Sequence, residues 1–444
     1  MQVNASKTQK KASLHTHGCR LNQYETKLIR DHLESRGYEI VPFGDKADLG
    51  IINTCTVTRE ADAKCRQSIR SFIKKNPGAF TAVVGCYSQS GYKEIAGIEG
   101  VDLIVGNQDK LGVLDYIDDV KNEVPVIVRE RISKEDFTIS FVGDMPFTQR
   151  ANLKIQDGCD FMCTFCTIPF VRGRARSRDF SNLMEEARSL AGRGVRELVL
   201  TGVNIGTFSS SGETILTLVD ALNDVSGIDR VRISSIEPTT IPVELFERMA
   251  DINHVLLPYL HIPLQSGSDT ILKAMRRKYT RTEFLDFIER AYASVPDICI
   301  GTDILVGFPG EAETDFEASC QLLLESPLAY SHVFTYSERD GTVAAKETGH
   351  IPMPERHERS NRLRRLSAKK RHDYYANYLG KTVDVLFENP REGLWPGYTD
   401  NYIRVVVDCP ERDLTNFIGK VRLERISADF VEGMLVGVEG SQSV

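Results

Sequence analysis

Three cysteines in a short run, spaced as C-x3-C-x2-C, constrain this chain more than any other feature of its sequence. They are Cys159, Cys163 and Cys166, and Gln156-Asp-Gly precedes them. Soft thiolates at this spacing can converge on an iron–sulfur cluster or on zinc. Zinc prefers four ligands, commonly as two C-x2-C pairs, so it is the weaker interpretation. A four-iron cluster on three thiolates keeps one iron open, which predicts a reactive cluster rather than an electron store.

The bulk composition describes an ordinary globular protein of more than one domain. The chain has 444 residues and a formal net charge of -7, so any nucleic-acid site must be a local basic patch. No stretch approaches the roughly 20 apolar residues that span a bilayer, and the first residues contain no apolar signal-peptide core. Ten cysteines in such a chain indicate metal or redox chemistry rather than disulfides. Together these features predict a cytoplasmic protein that does not enter a membrane.

Two regions of the chain alternate β-rich runs with amphipathic helices, which predicts an α/β multidomain protein. In the first, residues 12 to about 120, the pattern predicts a parallel sheet, and residues 120–148 look like a connector. The second begins near residue 151 and contains about six strand–helix units, which predicts a partial (βα)6 barrel or an open curved sheet.

Polar or glycine-rich clusters follow five of the predicted strands in the second region. Sites in such sheets form at the carboxyl ends of the strands, so we expect these clusters on one face. The candidate cofactor contacts among them are Thr201, Gly202, Ser235, Glu237 and Gln265. Polar caps at strand ends would be the alternative interpretation.

After residue 380 the sequence pattern changes to short strands of alternating polar and apolar residues, separated by glycines. Four strands are predicted, at 382–388, 402–408, 416–423 and 434–438, and they indicate a small all-β barrel of the size that binds oligonucleotides. The helical segment 354–371 before it is rich in arginine and lysine. The predicted domains are therefore 10–125, 145–372 and 373–440.

Candidate RNA contacts come from this basic segment, from the barrel and from the loop after the cysteine triad. In an acidic protein a basic helix before such a barrel predicts a patch that follows phosphates, although charged helices are usually only solvated surface. Exposed tyrosines can stack on unpaired bases. The candidates are Arg174, Arg176, Arg364, Arg365, Lys369, Lys370, Tyr398 and Tyr402.

Three further cysteines, Cys19, Cys55 and Cys86, each follow a β-rich run in the first region. A lone free cysteine usually behaves as a small buried hydrophobe. Because parallel strands end at the same edge of a sheet, three of them predict a shared second site. The remaining cysteines have ordinary interpretations: Cys65 as structural, Cys299 and Cys320 as core, and Cys409 as incidental.

These motifs resemble a known family. C-x3-C-x-aromatic-C resembles the radical S-adenosylmethionine (SAM) enzymes. The Gly18-Cys-Arg-Leu-Asn, Asn53-Thr-Cys and Gly85-Cys motifs ahead of it resemble the methylthiotransferases among them. Later segments continue the resemblance over nearly the whole chain, including Arg232-Ile-Ser-Ser-Ile-Glu-Pro, His261-Ile-Pro-Leu-Gln-Ser-Gly-Ser-Asp and Phe334-Thr-Tyr-Ser-Glu-Arg-Asp-Gly-Thr.

The resemblance implies two [4Fe-4S] clusters and SAM as cofactors. Cys159, Cys163 and Cys166 would hold the cluster whose open iron binds SAM, with Phe165 near the adenine. The N-terminal cysteines would hold a second cluster that stores or delivers sulfur, and the C-terminal barrel would be an RNA-binding TRAM domain. The resemblance also implies an electron donor such as a flavodoxin or ferredoxin, and it leaves the source of sulfur open.

Within the family, residues 18–25 and 53–58 resemble the branch that modifies threonylcarbamoyladenosine beside the anticodon of tRNA. The resemblance therefore implies methylthiolation of carbon 2 of that nucleoside, with the single-stranded anticodon loop as partner. Two alternatives share the chemistry: isopentenyladenosine in tRNA, or an aspartate of a ribosomal protein. An alternative of another class is a non-catalytic RNA-binding protein with structural zinc.

Overall fold

A computed structural model describes residues 9–118, 120–141 and 149–438, and the chain divides into two compact units. The first unit draws on Met1–Pro146, Asp157–Arg176 and Ser337–Ala345. The second unit draws on Phe147–Gln156, Ser177–Tyr336 and Lys346–Val444. No helix among the described residues is long and apolar enough to cross a membrane.

The first unit is built on a six-stranded parallel sheet with strand order β2-β1-β3-β4-β5-β6. Its elements are β1 (Lys11–Thr16), α1 (Arg20–Ser35), β2 (Glu39–Val41), β3 (Leu49–Thr54), α2 (Arg59–Lys75), β4 (Phe80–Gly85), α3 (Cys86–Ser90), α4 (Tyr92–Ala96), β5 (Leu103–Val105), a 3-10 turn at Lys110–Tyr116, β6 (Val126–Val128) and, farther along the chain, α5 (Ile168–Val171). β3 and β4 are buried along their whole length, as expected of central strands covered on both faces. The parallel sheet predicted for this region is confirmed.

One expectation for the first region is wrong. Residues 120–148 were expected to form a connector, but β6 lies in their described part, residues 120–141, and pairs in parallel with β5 through Val105 and Val128. Residues 142–148 lie outside the described residues. β6 has only three residues, and the side chains of Val126 and Ile127 are exposed. Such a strand belongs to the sheet through backbone hydrogen bonds at its edge, and therefore leaves almost no hydrophobic pattern in the sequence.

The second unit contains six parallel strands in two groups, β13-β10-β7 and β14-β15-β16. Isolated parallel bridges join the groups, Val231 to Leu256 and Ser235 to His261. The elements are β7 (Arg150–Lys154), α6 (Phe180–Gly192), β10 (Glu197–Thr201), β11 (Ser209–Ser210), β12 (Glu213–Thr214), α7 (Ile215–Asn223), β13 (Arg230–Ile233), α8 (Leu245–Ala250), β14 (Tyr259–His261), α9 (Asp269–Ala274), α10 (Arg281–Ser294), β15 (Cys299–Val306), α11 (Glu313–Glu325), β16 (Tyr330–Thr335) and α12 (Met353–Ala376). Two-residue strands, β8 (Gln156–Asp157) and β9 (Arg176–Ser177), lie where the chain crosses from one unit to the other. This confirms the predicted partial (βα)6 barrel.

The second unit ends in a closed five-stranded barrel of order β17-β18-β19-β21-β20, which confirms the predicted all-β fold. Its strands are β17 (Thr382–Phe387), β18 (Leu394–Thr399), β19 (Arg404–Asp408), β20 (Ile418–Ser427) and β21 (Phe430–Val438). The sequence predicted only four strands and missed β18. Pro396 and Gly397 interrupt the strand pattern there, because proline cannot donate to a ladder and glycine weakens a strand.

Candidate functional site

In the first unit, Cys19, Cys55 and Cys86 stand at the carboxyl ends of three neighbouring strands. Cys19 caps the start of α1 after β1, Cys55 follows β3, and Cys86 begins α3 directly after β4. Cys55 and Cys86 are buried, whereas Cys19 is exposed. The topology therefore brings the three predicted thiols to one edge of the sheet.

The surroundings of Cys55 disfavour the charged form of its thiol. Burial raises the pKa of the Cys55 thiol to about 12, and the neighbouring thiols of Cys86, Cys19 and Cys65 contribute to the rise. Gly18, with φ of +100°, passes so near that a Cβ on it would lie 2.9 Å from the Cys55 sulfur. Only glycine tolerates both this backbone conformation and this approach.

The C-x3-C-x2-C loop also lies in the first unit, and its three cysteines are half-buried. The loop is held by backbone hydrogen bonds from Cys159 N to Gly173 O (3.2 Å) and from Cys166 N to Cys163 O (3.1 Å). The N–H of Ile168, the first residue of α5, donates to the Cys166 sulfur at 3.4 Å. Hydrogen bonds to ligating sulfurs are one of the means by which proteins set the reduction potential of an iron–sulfur cluster.

The donor chemistry of both cysteine groups, three thiols in each, fits iron–sulfur clusters. All ten cysteines lie within the described residues and are free thiols. In the described part of the chain, no three His, Cys, Asp or Glu side chains are arranged to hold one metal ion.

A buried charge network in the first unit connects the two cysteine groups. The Arg172 side chain is 1% exposed and donates to both oxygens of Glu25 at 3.1 Å, to both oxygens of Asp157 at 3.1 Å and to Asn22 Oδ1 at 2.6 Å. Asn22 lies three residues after Cys19, and Asp157 lies two residues before Cys159.

Burial disfavours the charge of Arg172, but Asp157, the thiol of Cys86 and Glu25 together hold its pKa well above the usual value. Lys110 extends the network, since its ammonium pairs with Glu25 and donates to Asn107 Oδ1 at 2.8 Å. The Asn107 amide in turn donates to the Cys86 sulfur at 3.4 Å and to Val171 O at 2.6 Å.

A second network in the first unit supports the loop of Cys55. Arg339 donates to Thr56 Oγ1 at 2.6 Å and pairs with Asp62 at 2.7 Å. Burial raises the pKa of Asp62, although Thr56 and Arg339 favour its charged form. The sequence did not single out Arg172, Lys110 or Arg339, because their partners lie far away along the chain and no spacing pattern marks such pairs.

Two RNA candidates lie in the first unit after the cysteine triad. Arg174 is half-exposed and pairs with Asp160 at 3.4 Å. Arg176 is mostly buried, lies 3.8 Å from Asp157 and stacks over the ring of Phe137. Phe165, the predicted adenine neighbour, is partly buried in the same loop.

The predicted cofactor contacts of the second unit follow the carboxyl ends of its strands. Thr201 ends β10 and donates to Val199 O at 2.9 Å, and Gly202 leaves no room for a side chain, since a Cβ there would lie 2.9 Å from Gln156 Oε1. Ser235 follows β13 and bridges to His261. Gln265 takes the left-handed conformation, with φ of +73°, which is uncommon for a residue with a side chain.

Glu237 and Asn204 complete this edge of the barrel. Glu237 forms a buried ion pair with Arg277, which also donates to Tyr279 Oη at 2.9 Å. Asn204 is 1% exposed, and its Oδ1 accepts from Glu237 N at 3.3 Å and Thr240 Oγ1 at 3.0 Å. Its Nδ2 is a buried donor for which the described residues supply no acceptor. A polar cofactor such as SAM could accept a hydrogen bond from this donor, so the edge fits such a cofactor. Asn204 was not among the contacts predicted from the sequence.

The basic candidates on α12 differ in their surroundings. Arg364, Arg365 and Lys369 are exposed, and Arg364 donates to Val333 O at 3.4 Å. Lys370 is half-buried and donates to Ser326 O at 2.7 Å, just beyond the end of α11. Burial lowers the pKa of Lys370. The structure therefore gives Lys370 a capping role at α11, and the three exposed cations remain the better RNA candidates.

Tyr398 and Tyr402 lie where the C-terminal barrel meets the (βα)6 barrel within the second unit. Their rings stack with centroids 5.0 Å apart, and Tyr402 also packs on Tyr259 at 4.5 Å. Arg150 lies over the Tyr398 ring at 4.5 Å, and Arg232 lies over Tyr402 at 5.0 Å. Both rings therefore have a packing role within the protein, and their predicted stacking on RNA bases stays a prediction.

Comparison with known proteins decides the family. The Radical SAM superfamily matches residues 153–323, and the Uncharacterized protein family UPF0004 matches residues 11–106. The threonylcarbamoyladenosine tRNA methylthiotransferase MtaB of Bacillus subtilis is 38% identical over 440 residues, which cover 96% of each chain. This chain belongs to the radical SAM methylthiotransferase family. It is a transferase whose cofactors are SAM and two [4Fe-4S] clusters.

Other similarities agree with this membership. A second relative is the tRNA-2-methylthio-N(6)-dimethylallyladenosine synthase of Roseobacter denitrificans. The two sequences are 34% identical over 90% of this chain and 93% of the synthase. Among solved structures, the radical SAM methyltransferase TsrM of Kitasatospora setae, with cobalamin and a [4Fe-4S] cluster bound, has a TM-score of 0.53. It is 13% identical and covers 76% of this chain and 77% of its own, which shows a shared fold.

Proposed function

We propose that this methylthiotransferase acts on tRNA and adds a methylthio group to carbon 2 of threonylcarbamoyladenosine at position 37, beside the anticodon. The product is 2-methylthio-threonylcarbamoyladenosine. The observation that carries the proposal is the full-length similarity to MtaB of Bacillus subtilis, at 96% of each chain, whose name states this substrate. MtaB proteins of Aquifex aeolicus and Rickettsia prowazekii, 36% and 35% identical, support it.

Each cysteine group has a proposed role. Cys159, Cys163 and Cys166 hold the cluster that binds SAM, and Cys19, Cys55 and Cys86 hold the cluster that handles sulfur. Bound together, the reduced cluster and SAM supply radical chemistry, which the reaction requires because the hydrogen on carbon 2 is not acidic. A small electron donor, such as a flavodoxin or ferredoxin, reduces the cluster.

The other residues of the chain bind and position the reactants. In the second unit, Thr201, Gly202, Ser235, Glu237 and Gln265 are the proposed SAM contacts, and Asn204 joins them with its unsatisfied amide. In the first unit, Phe165 is the proposed neighbour of the adenine. Arg172 and its partners hold the two cysteine loops of the first unit in place. The orphaned Asn204 donor supports the SAM site, because a buried unpaired amide is costly unless a ligand satisfies it.

The proposed domains are an N-terminal cluster-binding domain at 10–125, a radical SAM core at 145–372 and a TRAM domain at 373–440. The exposed cations Arg364, Arg365 and Lys369 contact the phosphates of the anticodon stem-loop, and Arg174 and Arg176 contact phosphate or SAM. The protein works in the cytoplasm, where its tRNA substrate is found.

Nucleoside analysis of tRNA tests the substrate. A strain without the gene should lose 2-methylthio-threonylcarbamoyladenosine and accumulate threonylcarbamoyladenosine, and the wild-type gene should restore the modified nucleoside. A copy carrying Cys159→Ala should fail to restore it. Unchanged methylthio-nucleosides in the deletion strain would exclude tRNA as the substrate.

The second candidate substrate is isopentenyladenosine in tRNA, which the 34% identity to the Roseobacter denitrificans synthase favours. The same nucleoside profile separates the two, because in that case only the methylthiolated isopentenyladenosine would disappear. Metal analysis after anaerobic reconstitution tests the cofactors independently. Two four-iron clusters require about eight iron atoms per chain, whereas zinc in their place would exclude the radical mechanism.

A further inference from the structure

A group of aromatic, imidazole and carboxylate side chains shares one face of the β14-β15-β16 sheet in the second unit. Tyr330, His332 and Phe334 alternate along β16, and residues two apart on a strand share one face. Tyr330 Oη lies 2.7 Å from Tyr259 Oη of β14, and the ring of His332 lies 5.3 Å from that of His261. The shared face therefore joins β14 to β16 across β15.

β15 contributes the charge and the space to this face. Asp303 Oδ1 lies 2.8 Å from His261 Nε2, and Asp303 is directly opposite His332 in the strand register. Gly301, two residues earlier, leaves room for the Tyr330 ring, since a Cβ there would lie 2.4 Å from its Cζ. His261, Asp303 and His332 form one contiguous group, here called the interior cluster.

Access to the interior cluster increases towards the carboxyl end of the strands. His261 is buried, the Asp303 side chain is 19% exposed, and His332 is exposed. Phe334, the next residue of β16 on this face, is 45% exposed. A molecule that enters from this end would meet an exposed aromatic ring first and the imidazole and carboxylate groups behind it.

The residues of the interior cluster are neither among the proposed iron–sulfur ligands nor among the proposed SAM contacts. A hydrogen-bonded pair such as His261 with Asp303 adds little net stability, because folding only exchanges its hydrogen bonds to water for one within the protein. An exposed imidazole, a partly exposed carboxylate and an exposed phenyl ring on one face of a sheet are, in contrast, the groups that bind a ligand with both polar groups and a ring.

We propose that the interior cluster binds the polar N6 substituent of the substrate nucleoside, with Phe334 against the base. This inference rests on the proposed function. The threonylcarbamoyl group carries a carboxylate, a hydroxyl and N–H donors. The His332 imidazole donates to the carboxylate, and Asp303, oriented by His261, accepts from the hydroxyl or an N–H.

The interior cluster also explains how the protein would distinguish threonylcarbamoyladenosine from isopentenyladenosine. An isopentenyl group has neither donors nor acceptors, so it would exclude water from the exposed side of the interior cluster without offering a hydrogen bond in return. Sites built to hydrogen-bond a substrate group reject analogues that lack it far more strongly than apolar pockets reject an added group. His332 and Asp303 are therefore specificity-determining residues for this substrate.

Binding without turnover tests the proposal. Reconstituted protein with SAM and without reductant is titrated with labelled anticodon stem-loops that carry threonylcarbamoyladenosine, isopentenyladenosine or unmodified adenosine. The wild type should bind the threonylcarbamoyl loop most tightly. His332→Phe and Asp303→Asn should each lose about tenfold of that preference, as expected for a lost hydrogen bond to a charged group, and should bind the unmodified loop like the wild type.

His357→Phe is the matched control, because His357 is an exposed histidine at the start of α12. Iron content equal to that of the wild type shows that each variant is folded and loaded. If His332→Phe and Asp303→Asn both keep the wild-type preference, the interior cluster has only a structural role and the inference is wrong, while the proposed function stands. If the wild type prefers the isopentenyl loop, the proposed substrate is itself wrong.

Discussion

At the scale of single residues, two residues of the first unit, Arg172 and Gly18, support the loops that carry the cysteines. Arg172 pairs with two buried carboxylates, Glu25 and Asp157, near both cysteine groups. Gly18 occupies a backbone conformation and a space that no other residue fits beside Cys55. Both residues act through other residues, so their substitution should change cluster assembly and stability rather than a reacting group.

Arg172→Met should destabilise the protein by about 3–5 kcal/mol, because it leaves Glu25 and Asp157 buried without their shared cation. The measurement is chemical denaturation of the metal-free chain. Arg174→Met is the control: its pair with Asp160 is about half-exposed, so its loss should cost about 0–1 kcal/mol. Equal effects of the two substitutions would contradict a special role for the buried network.

Gly18→Ala should reduce the iron bound after reconstitution from about eight atoms to about four per chain, since only the N-terminal cluster is disturbed. A methyl group there would collide with Cys55, and the positive φ adds strain. Gly37→Ala controls for strain alone, because Gly37 also has a positive φ of +85° but has open space around its Cα. Full iron content in Gly18→Ala would count against the assignment of Cys55 as a ligand.

At the scale of elements, the charged side chains of β10 and of α12 lie in different surroundings. Glu197 of β10 is buried between Arg150 and Arg232, whose charges outweigh burial and hold the pKa of Glu197 far below its usual value. On α12, in contrast, Arg365 and Lys369 are exposed to solvent. The first arrangement stabilises the fold, and the second is suited to binding phosphate.

The contribution of Glu197 to stability should depend on pH. Its pKa is depressed in the folded state, so its stabilisation is fully present above the unfolded-state pKa of about 4.3 and is lost as the pH falls below that value. Denaturation of the wild type and Glu197→Gln should therefore differ most at pH 7 and progressively less between pH 5 and pH 3. A difference that stays constant over this range would mean that the ion pairs do not set the pKa.

Replacing both Arg365 and Lys369 with Gln should weaken tRNA binding and make it less sensitive to salt. Each phosphate contact contributes about 0.7–0.9 to the slope of log affinity against log salt concentration, so the slope should become shallower by about 1.5. Arg362→Gln is the control on the same helix, because Arg362 is paired with Glu317. An unchanged slope in the double variant would place the RNA elsewhere.

At the scale of the whole molecule, the C-terminal barrel is joined to the (βα)6 barrel by more than the chain. Arg232 donates to Thr399 O (3.1 Å) and Asp400 O (2.8 Å), and Arg230 donates to Tyr398 O (3.0 Å) and Asp384 O (3.1 Å). The aromatic layer of Tyr259, Tyr398 and Tyr402 lies beside these bonds. The C-terminal barrel therefore acts as a structural part of the second unit.

Truncation after Leu379 should lower the melting temperature of the remaining chain by about 10 °C or more, because the lost contacts include the hydrogen bonds of Arg230 and Arg232, of about 1 kcal/mol each. Thermal unfolding followed by circular dichroism measures the change. A truncated chain that melts at the wild-type temperature would show that the barrel folds and functions as an independent module.

Much of this architecture could be predicted from the sequence. About six strand–helix units were predicted for the second region, because hydrophobic periodicity is a local signal along the chain. The strand ends that carry Cys19, Cys55 and Cys86 were predicted for the same reason. β6 and β18 were missed, because the first is a short exposed edge strand and the second contains proline and glycine.

The sequence by itself determined the chemistry, since thiol spacing and strand-end motifs are properties of neighbouring residues. Only the tertiary structure decided which side chains meet across long stretches of chain. Arg172 with Glu25, Arg339 with Thr56, the unsatisfied amide of Asn204 and the cluster of His261, Asp303 and His332 all depend on such meetings. The physical reason is that burial and pairing between distant residues follow from packing, which leaves no periodic signal along the chain.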